Sequence, residues 1–175
     1  MSTVKKKIKL KTSKTPLNLL NELKSCIRDL YSVDPEKYIP KYTRLTCISE
    51  LCIIHSEEEC AQRLRLSSIR VIYEGYWLGV YVKGVVLPST VLATKIIQER
   101  GLSAAIIITD HGVKAFLYGR DILPESVIKT YPSSRNIYAV IDHSDHEIIG
   151  FSKWDDSRKV YVNLYDLGLF LRILG

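Results

Sequence analysis

The sequence contains no uninterrupted apolar run that approaches the ~20 residues of a membrane-spanning helix. Its start, Met1-Ser-Thr-Val-Lys-Lys-Lys7, is basic and lacks the apolar segment of a signal peptide. The nine glycines are scattered, so no phosphate-binding glycine loop, nucleophile elbow or dinucleotide fingerprint is present. We therefore expect a cytoplasmic protein with no membrane segment, no cofactor and no catalytic residues.

Cysteine is scarce and confined to the first half of the chain, at Cys26, Cys47, Cys52 and Cys60. A core of this size does not need disulfides, so we expect reduced thiols. Three of these cysteines and His55 contain the atoms of a zinc site, but they lack the close cysteine pair of a zinc knuckle. Small cysteines that fill a core explain the pattern better.

Histidine is also rare, and two of the four lie close together at His143 and His146. Acidic residues surround them, which is attractive for a cation but equally typical of an exposed hairpin turn. We predict no metal at either place.

The net charge of +6 has one origin. Residues 1–15 contain six lysines and no acid, and the acids and bases of the remaining chain balance. This basic N-terminal arm is suited to contact with a polyanion, and it is equally typical of a solvated tail that keeps a protein soluble. The lysines are Lys5, Lys6, Lys7, Lys9, Lys11 and Lys14.

Hydrophobic periodicity and capping residues predict alternating helices and strands in the first part of the chain. The predicted elements are a helix Leu17 to Tyr31, a strand-like run Tyr42 to His55, a short helix Ser56 to Leu66, a hairpin Ile69 to Lys83 that turns near Glu74-Gly75, a helix Ser89 to Arg100 stopped by Gly101, and a buried strand Ala104 to Ile108. The hairpin includes Tyr73, Tyr76, Trp77 and Tyr81, which suit either a protein partner or the local core.

The last third of the chain predicts a small β-structure. Its elements are an apolar strand from Ala115 that breaks at Gly119, a short helix Pro124 to Ile128, a hairpin of Ile137–Asp142 and Glu147–Ser152, a polar connection Lys153 to Lys159, a strand Val160 to Leu164, and a terminal helix capped by Asp166. We expect an α/β (α+β) protein with the arm at 1–15, an N-terminal α/β domain at 16–111 and a second domain at 112–175. The boundary, near Asp110 to Val113, has no flexible linker, so the halves should pack together.

Two segments resemble the C-terminal PUA domain of the Nip-seven (nuclear import protein seven) family. They are Phe116-Leu-Tyr-Gly-Arg-Asp-Ile-Leu123 and Asn163-Leu-Tyr-Asp-Leu-Gly-Leu-Phe-Leu-Arg172. The resemblance implies a compact PUA-type β-barrel that binds ribosomal RNA (pre-rRNA), works with ribosome-assembly proteins in large-subunit biogenesis and catalyses no reaction. A translation-associated PUA protein that acts on the small subunit or tRNA, or an accessory subunit of an RNA-modifying enzyme, are the alternatives. We expect a monomer.

The predicted RNA-binding residues form two groups. Arg158 and Lys159 would clamp phosphates, next to Lys153 and the stacking face of Trp154. The second group lies near Gly119 and would form the opposite side of a groove; its members are Arg120, Lys129 and Lys114. Each of these three is equally suited to be a solvated surface residue or to pair with a nearby acid.

Overall fold

The computed structural model describes residues 10–57 and 72–174, which form two five-stranded sheets and four α-helices. The N-terminal sheet is antiparallel, in the order β1 (Leu10–Lys14), β2 (Thr43–Ile48), β3 (Leu51–Ser56), β4 (Trp77–Val82), β5 (Val85–Pro88). The C-terminal sheet is mixed, in the order β10 (Val160–Asp166), β9 (Ile148–Asp155), β8 (Ile137–Asp142), β6 (Ala105–Ile108), β7 (Val127–Tyr131). The expected α+β class is confirmed. None of the helices in these ranges is long and apolar enough to cross a membrane.

Two helices agree with their predicted bounds. α1 (Leu17–Tyr31) buries Leu23 and Ile27 in the core. α2 (Thr90–Arg100) starts where the hydroxyl of Ser89 accepts a hydrogen bond from the Leu92 amide at 2.9 Å, and it ends at Gly101. Helical spacing predicts both helices, and at α2 the Ser89 cap agrees with it, whereas α1 starts after Pro16 without a side-chain cap.

The central strand β8 of the C-terminal sheet is buried on both faces. In β8, Ile137, Ala139 and Ile141 face a core that extends into the N-terminal half, whereas Tyr138 and Val140 face a second, smaller core. The two halves therefore pack together through a shared apolar core, as the missing linker predicts. The predicted boundary at Asp110–Val113 stays a prediction; β6, which precedes it, belongs to the C-terminal sheet.

The C-terminal sheet curls towards closure. Ile122, just before β7, forms an isolated antiparallel bridge with Tyr161 of β10, with a backbone hydrogen bond of 2.9 Å in each direction. The hydroxyls of Thr130 and Tyr161 then lie 3.5 Å apart. The two edges of the sheet, β7 and β10, thus approach each other as in a small barrel.

The predicted apolar strand at Ala115–Leu123 is wrong. Residues Asp110–Leu117 form the helix α3, and Gly119, with a φ of 82°, makes the turn after it. Val113, Phe116 and the half-buried Leu117 follow a helical spacing that packs α3 on the second core. The turn at Gly119 was predicted correctly.

Reduced thiols are also a wrong prediction for Cys47 and Cys52, which form a disulfide. The predicted run Tyr42 to His55 is two strands joined by a tight turn, and these cysteines face each other across it. The turn needs a left-handed residue, which Ser49 supplies with a φ of 55°. Cys26 is a buried free thiol, and burial raises its pKa to about 12.

The predicted hairpin at Ile69–Lys83 is replaced, within the described residues, by β4 and β5, which turn at Lys83-Gly84. Trp77 packs edge-on against Tyr165 and Phe170, and Tyr81 also contacts the main core. Trp77 and Tyr81 thus pack against the core, whereas Tyr76 is exposed.

Several predicted ends differ from the structure. The helix at Pro124 is a short 3-10 turn, Pro124–Ser126, which leads directly into β7. β9 continues to Asp155, and Asp166 ends β10 instead of capping the terminal helix α4 (Gly168–Leu174). The predicted helix at Ser56–Leu66 lies mostly outside the described residues, as do positions 1–9 of the basic arm.

Candidate nucleic-acid interface

α3 carries one side of the candidate interface. The helix begins where the hydroxyl of Thr109 accepts a hydrogen bond from the Gly112 amide at 3.3 Å. Phe116 is fully buried and fixes the helix on the sheet. Lys114 and Tyr118 are exposed, and their spacing of four residues places them on the same face of the helix.

The carbonyl groups in the last turn of α3 all have donors. Those of Lys114, Ala115 and Phe116 accept from backbone amides of the following turn, and that of Leu117 accepts from the guanidinium of Arg172 at 2.6 Å. Unpaired carbonyls make the C-terminal end of a helix unfavourable for anions. Their pairing here reduces that obstacle to a phosphate.

Gly119 folds the chain back over this last turn. Its φ of 82° lies in the left-handed region, and the next amide, that of Arg120, donates to Ala115 at 3.1 Å. A Cβ at Gly119 would lie 3.2 Å from the guanidinium of Arg172, so glycine also leaves room for that side chain. Arg120 consequently stays beside the end of α3, exposed to solvent.

Asn163 of β10 joins this turn to the strand. The residue is 3% exposed, and its backbone amide donates to the Asp121 carboxylate at 2.9 Å. Its side-chain amide donates to the carbonyl of Phe116 at 3.0 Å and to the carboxylate of Asp166 at 3.1 Å. Together with the Ile122–Tyr161 bridge, these contacts hold the turn and the closing strand side by side, as predicted.

The terminal helix α4 lies close to the end of α3 and helps to hold the turn after α3 in place. Arg172 donates to the carboxylate of Asp166 at 2.7 Å, and Asp166 is only 1% exposed. A Cβ at Gly168 would lie 2.1 Å from the carbonyl oxygen of Leu117, so no larger residue fits without moving the backbone. These residues position the surface and do not themselves form it.

The predicted phosphate clamp is paired with acids. The guanidinium of Arg158 contacts the Asp121 carboxylate at 2.7 Å, and the ammonium of Lys159 contacts Asp156 at 2.8 Å. The hydrogen bond from Lys159 lowers the pKa of Asp156, so this acid stays charged at neutral pH. Exposed pairs of this kind contribute less than ~1 kcal/mol and can exchange for a phosphate.

The turn that carries this clamp is itself ordered by an acid. Asp155 accepts hydrogen bonds from the amide and the hydroxyl of Ser157 and from the amide of Arg158. These bonds, led by that of the Ser157 hydroxyl, lower the pKa of Asp155. A second negative charge therefore lies next to the predicted cations.

Trp154 has less free surface than predicted. Its ring is half-buried, and the ring centroid lies 4.8 Å from that of Tyr161. A shallow cavity of about 320 Å³ lies beside it, lined by Lys153 and Val162 among others. The cavity admits a small group at this site, but the indole face is partly covered by Tyr161.

The other predicted cations are available. Lys114, Arg120, Lys129 and Lys153 are exposed and have no ion-pair partner among the residues that the structure describes. Lys129 lies over the ring of Tyr131, 4.9 Å from its centroid. We call Lys114, Tyr118 and Arg120 the helix lip. We call the segment Lys153–Lys159 the hairpin lip.

Sequence reasoning missed three residues of this region: Tyr118, Asn163 and Arg172. The sequence contains one indication for Asn163, because it is a polar residue within the apolar run of β10. A polar side chain buried in a strand needs partners, and here they come from α3. Tyr118 was not predicted as a site residue because its segment was interpreted as a strand.

One group in the described ranges has cation-binding atoms close together. The ligand atoms of Asp110, Asp142 and His143 lie within 4.8 Å of one another. The amide and hydroxyl of Ser144 bond to Asp142 and lower its pKa. The predicted neighbours His146, Asp145 and Glu147 are not in this group. Nδ1 of His143 lies 3.4 Å from a carboxylate oxygen of Asp110 and 3.7 Å from one of Asp142.

The mixed sheet that curls towards closure, with α3 packed on its second core, lies within residues 104–175. Residues 104–175 match the UPF0113 PUA domain family model. This part of the chain is therefore a PUA domain, as the resemblance implied. The search of curated protein sequences finds no match.

Solved structures of archaeal proteins share this fold. A conserved PUA domain protein from Thermoplasma acidophilum aligns with a TM-score of 0.57 at 11% identity, covering 93% of this chain and 99% of that one. A PUA domain from Aeropyrum pernix K1, solved as a tartrate complex, gives 0.52 at 13%, covering 95% and 91%. A hypothetical protein from Pyrococcus horikoshii OT3 gives 0.55 at 9%, covering 81% and 80%. At these identities the likeness concerns the fold alone.

Proposed function

We propose that this protein is a non-enzymatic RNA-binding protein that holds ribosomal RNA through its PUA domain and assists large-subunit biogenesis in the cytoplasm. PUA domains generally bind RNA. The finer assignment to rRNA maturation, with pre-rRNA and assembly proteins as partners, rests on the resemblance to the Nip-seven family.

One observation supports this assignment most. The two segments that resemble that family are the two that touch in the structure. Asn163 reaches the carbonyl of Phe116, and Arg172 reaches that of Leu117. Separate stretches of sequence thus build a single surface, with its polar contacts directed at the turn after α3.

The helix lip supplies the first phosphate contacts in this proposal. Lys114 and Arg120 have no acid to displace, whereas Arg158 and Lys159 must exchange Asp121 and Asp156 for a phosphate. Phosphate contacts provide affinity and position the RNA, and any base recognition comes from the groove beside Arg120. In this proposal, Lys129 and Lys153 add further positive charge to the RNA-binding surface.

The N-terminal arm adds a second source of charge. Lys11 and Lys14 are exposed on β1, at the edge of the N-terminal sheet. The remaining chain has balanced charge, so we expect moderate affinity with a salt dependence set by few contacts. A protein of this kind positions RNA without reacting with it.

Crosslinking of the protein to RNA in its natural host, followed by sequencing, tests the proposal. We expect precursor RNA of the large subunit. A matched control is the Lys114→Gln/Arg120→Gln variant, which should lose most of the crosslinked RNA while it remains folded. Recovery of tRNA or mature small-subunit RNA would contradict the proposal and support a translation-associated role.

A further inference from the structure

Tyr118 is unusual among the large hydrophobic side chains that the structure describes. It is 80% exposed, more than any other of them. A single exposed aromatic residue needs no explanation by itself. Its neighbours make the difference, because Lys114 precedes it by one helical turn and Arg120 follows it after the Gly119 turn.

The ring extends from a rigid support. The amide of Tyr118 donates to the carbonyls of Lys114 and Ala115 at 3.3 and 3.2 Å. In the preceding turn, Phe116 is fully buried and the carbonyl of Leu117 accepts a hydrogen bond from the guanidinium of Arg172. Little backbone entropy is therefore lost when a planar ligand settles on the ring.

Trp154, the aromatic residue predicted to stack on a base, is a weaker platform. Its ring centroid lies 4.8 Å from that of Tyr161, and of the cations of the hairpin lip only Lys153 is without an ion pair in the described part of the chain, since Arg158 and Lys159 are paired with acids. Tyr118 has an open ring and two cations without ion pairs beside it. Of the two lips, the helix lip thus combines the more open ring with the larger number of cations that have no ion pair within the described residues.

We propose that Tyr118 stacks on an unpaired base while Lys114 and Arg120 hold the phosphates on either side of that nucleotide. The preferred RNA is then a loop, bulge or single strand instead of a uniform duplex, because bases within a duplex offer no open face to a ring. Stacking of this kind tolerates any base. This inference rests on the proposed RNA-binding function and specifies the class of RNA.

Fluorescence anisotropy with the full chain tests it, using one single-stranded RNA and a duplex of the same length. We expect Tyr118→Ala to weaken single-strand binding about tenfold and to change duplex binding less than about twofold. Tyr118→Trp should retain the affinity and Tyr118→Leu should not, because only the ring stacks. Tyr42→Ala is the matched control: this tyrosine is 58% exposed beside Lys41, in the other half of the molecule, and its loss should have no effect.

A second readout reports stacking directly. A 2-aminopurine placed in the single strand should lose fluorescence on binding to the wild type and keep it with Tyr118→Ala. Unchanged single-strand affinity of Tyr118→Ala, with RNA binding by the wild type intact, would overturn this inference alone. An equal loss for duplex and single strand would also overturn it. A wild-type protein that binds neither RNA would overturn the proposed function too.

Discussion

The helix lip and the hairpin lip approach each other where Arg158 contacts Asp121, the residue after Arg120, but they differ in what their cations touch. At the helix lip, Lys114 and Arg120 are exposed and have no acid as partner within the described part of the chain. At the hairpin lip, Arg158 and Lys159 each hold a carboxylate at 2.7 and 2.8 Å. The two surfaces therefore differ in effective charge although they contribute similar side chains.

This difference teaches that a basic residue in a sequence is not yet a binding site. A phosphate at the hairpin lip must compete with Asp121 and Asp156, which are already in place. A phosphate at the helix lip replaces only water. We expect RNA to engage the helix lip first, and the pairs of the hairpin lip to rearrange only afterwards.

The largest effect is expected where the two lips are joined. Asn163→Ala removes one donor from the Phe116 carbonyl, which keeps the Gly119 amide, and one from the Asp166 carboxylate, which keeps Arg172, so the free energy of unfolding should fall by about 2 kcal/mol. Chemical denaturation measures it. Asn21→Ala, at an exposed site on α1, is the control and should stay within about 0.5 kcal/mol of the wild type. A loss below that limit in Asn163→Ala would mean that the lips are held by other contacts.

The next effect compares the lips themselves. Lys114→Gln/Arg120→Gln should weaken single-stranded RNA binding roughly 20-fold at 0.1 M salt, since each lost phosphate contact removes ~0.7 from the salt slope. Arg158→Gln/Lys159→Gln should cost less than about threefold, because those cations are already neutralised by acids. Titrations at several salt concentrations measure both. The opposite order of the two variants would reverse our ranking of the lips.

A smaller effect, a gain in RNA affinity, is expected when the two acids that pair with the hairpin lip are neutralised. Asp121→Asn/Asp156→Asn keeps the acceptor for the Asn163 amide but removes both charges, so RNA affinity should rise about fivefold. Asp145→Asn, on the exposed β8–β9 turn, serves as the control. An unchanged affinity would show that the hairpin lip does not contact the RNA.

The smallest effect on RNA binding is expected from the disulfide. Cys47→Ser/Cys52→Ser should leave RNA affinity within about twofold, because the bond lies in the N-terminal sheet. The free energy of unfolding should fall by about 2 kcal/mol for a loop this short. Anisotropy and denaturation of the same preparation measure both values. A large loss of affinity would connect the N-terminal sheet to the RNA.

Local rules explain the parts of the fold that were predictable. α1 and α2 combine helical spacing with clear ends at Ser32 and Ser89, and β8 and β9 are apolar runs around a polar turn. α3 was missed because its apolar residues suit a strand equally well. Its start at Thr109, with an acid directly after it, was the signal that favoured a helix.

The candidate site was only partly predictable, for a physical reason. The residue types and the pairing of the turn with β10 follow from a family pattern, but the charge state of the surface depends on distant partners. Arg158 meets Asp121 across 37 positions, and Asn163 meets Phe116 across 47. The Cys47–Cys52 bond likewise depends on the exact turn at Ser49. Such contacts appear only when the chain is folded.

The most direct test of the central claim is an NMR titration of ¹⁵N-labelled protein with a single-stranded RNA. We predict that the amide resonances of Lys114, Tyr118, Gly119 and Arg120 shift at the lowest RNA concentrations, and that those of Ser157–Lys159 shift later and less. Shifts that begin at Ser157–Lys159, or that spare the helix lip at saturation, would contradict the account.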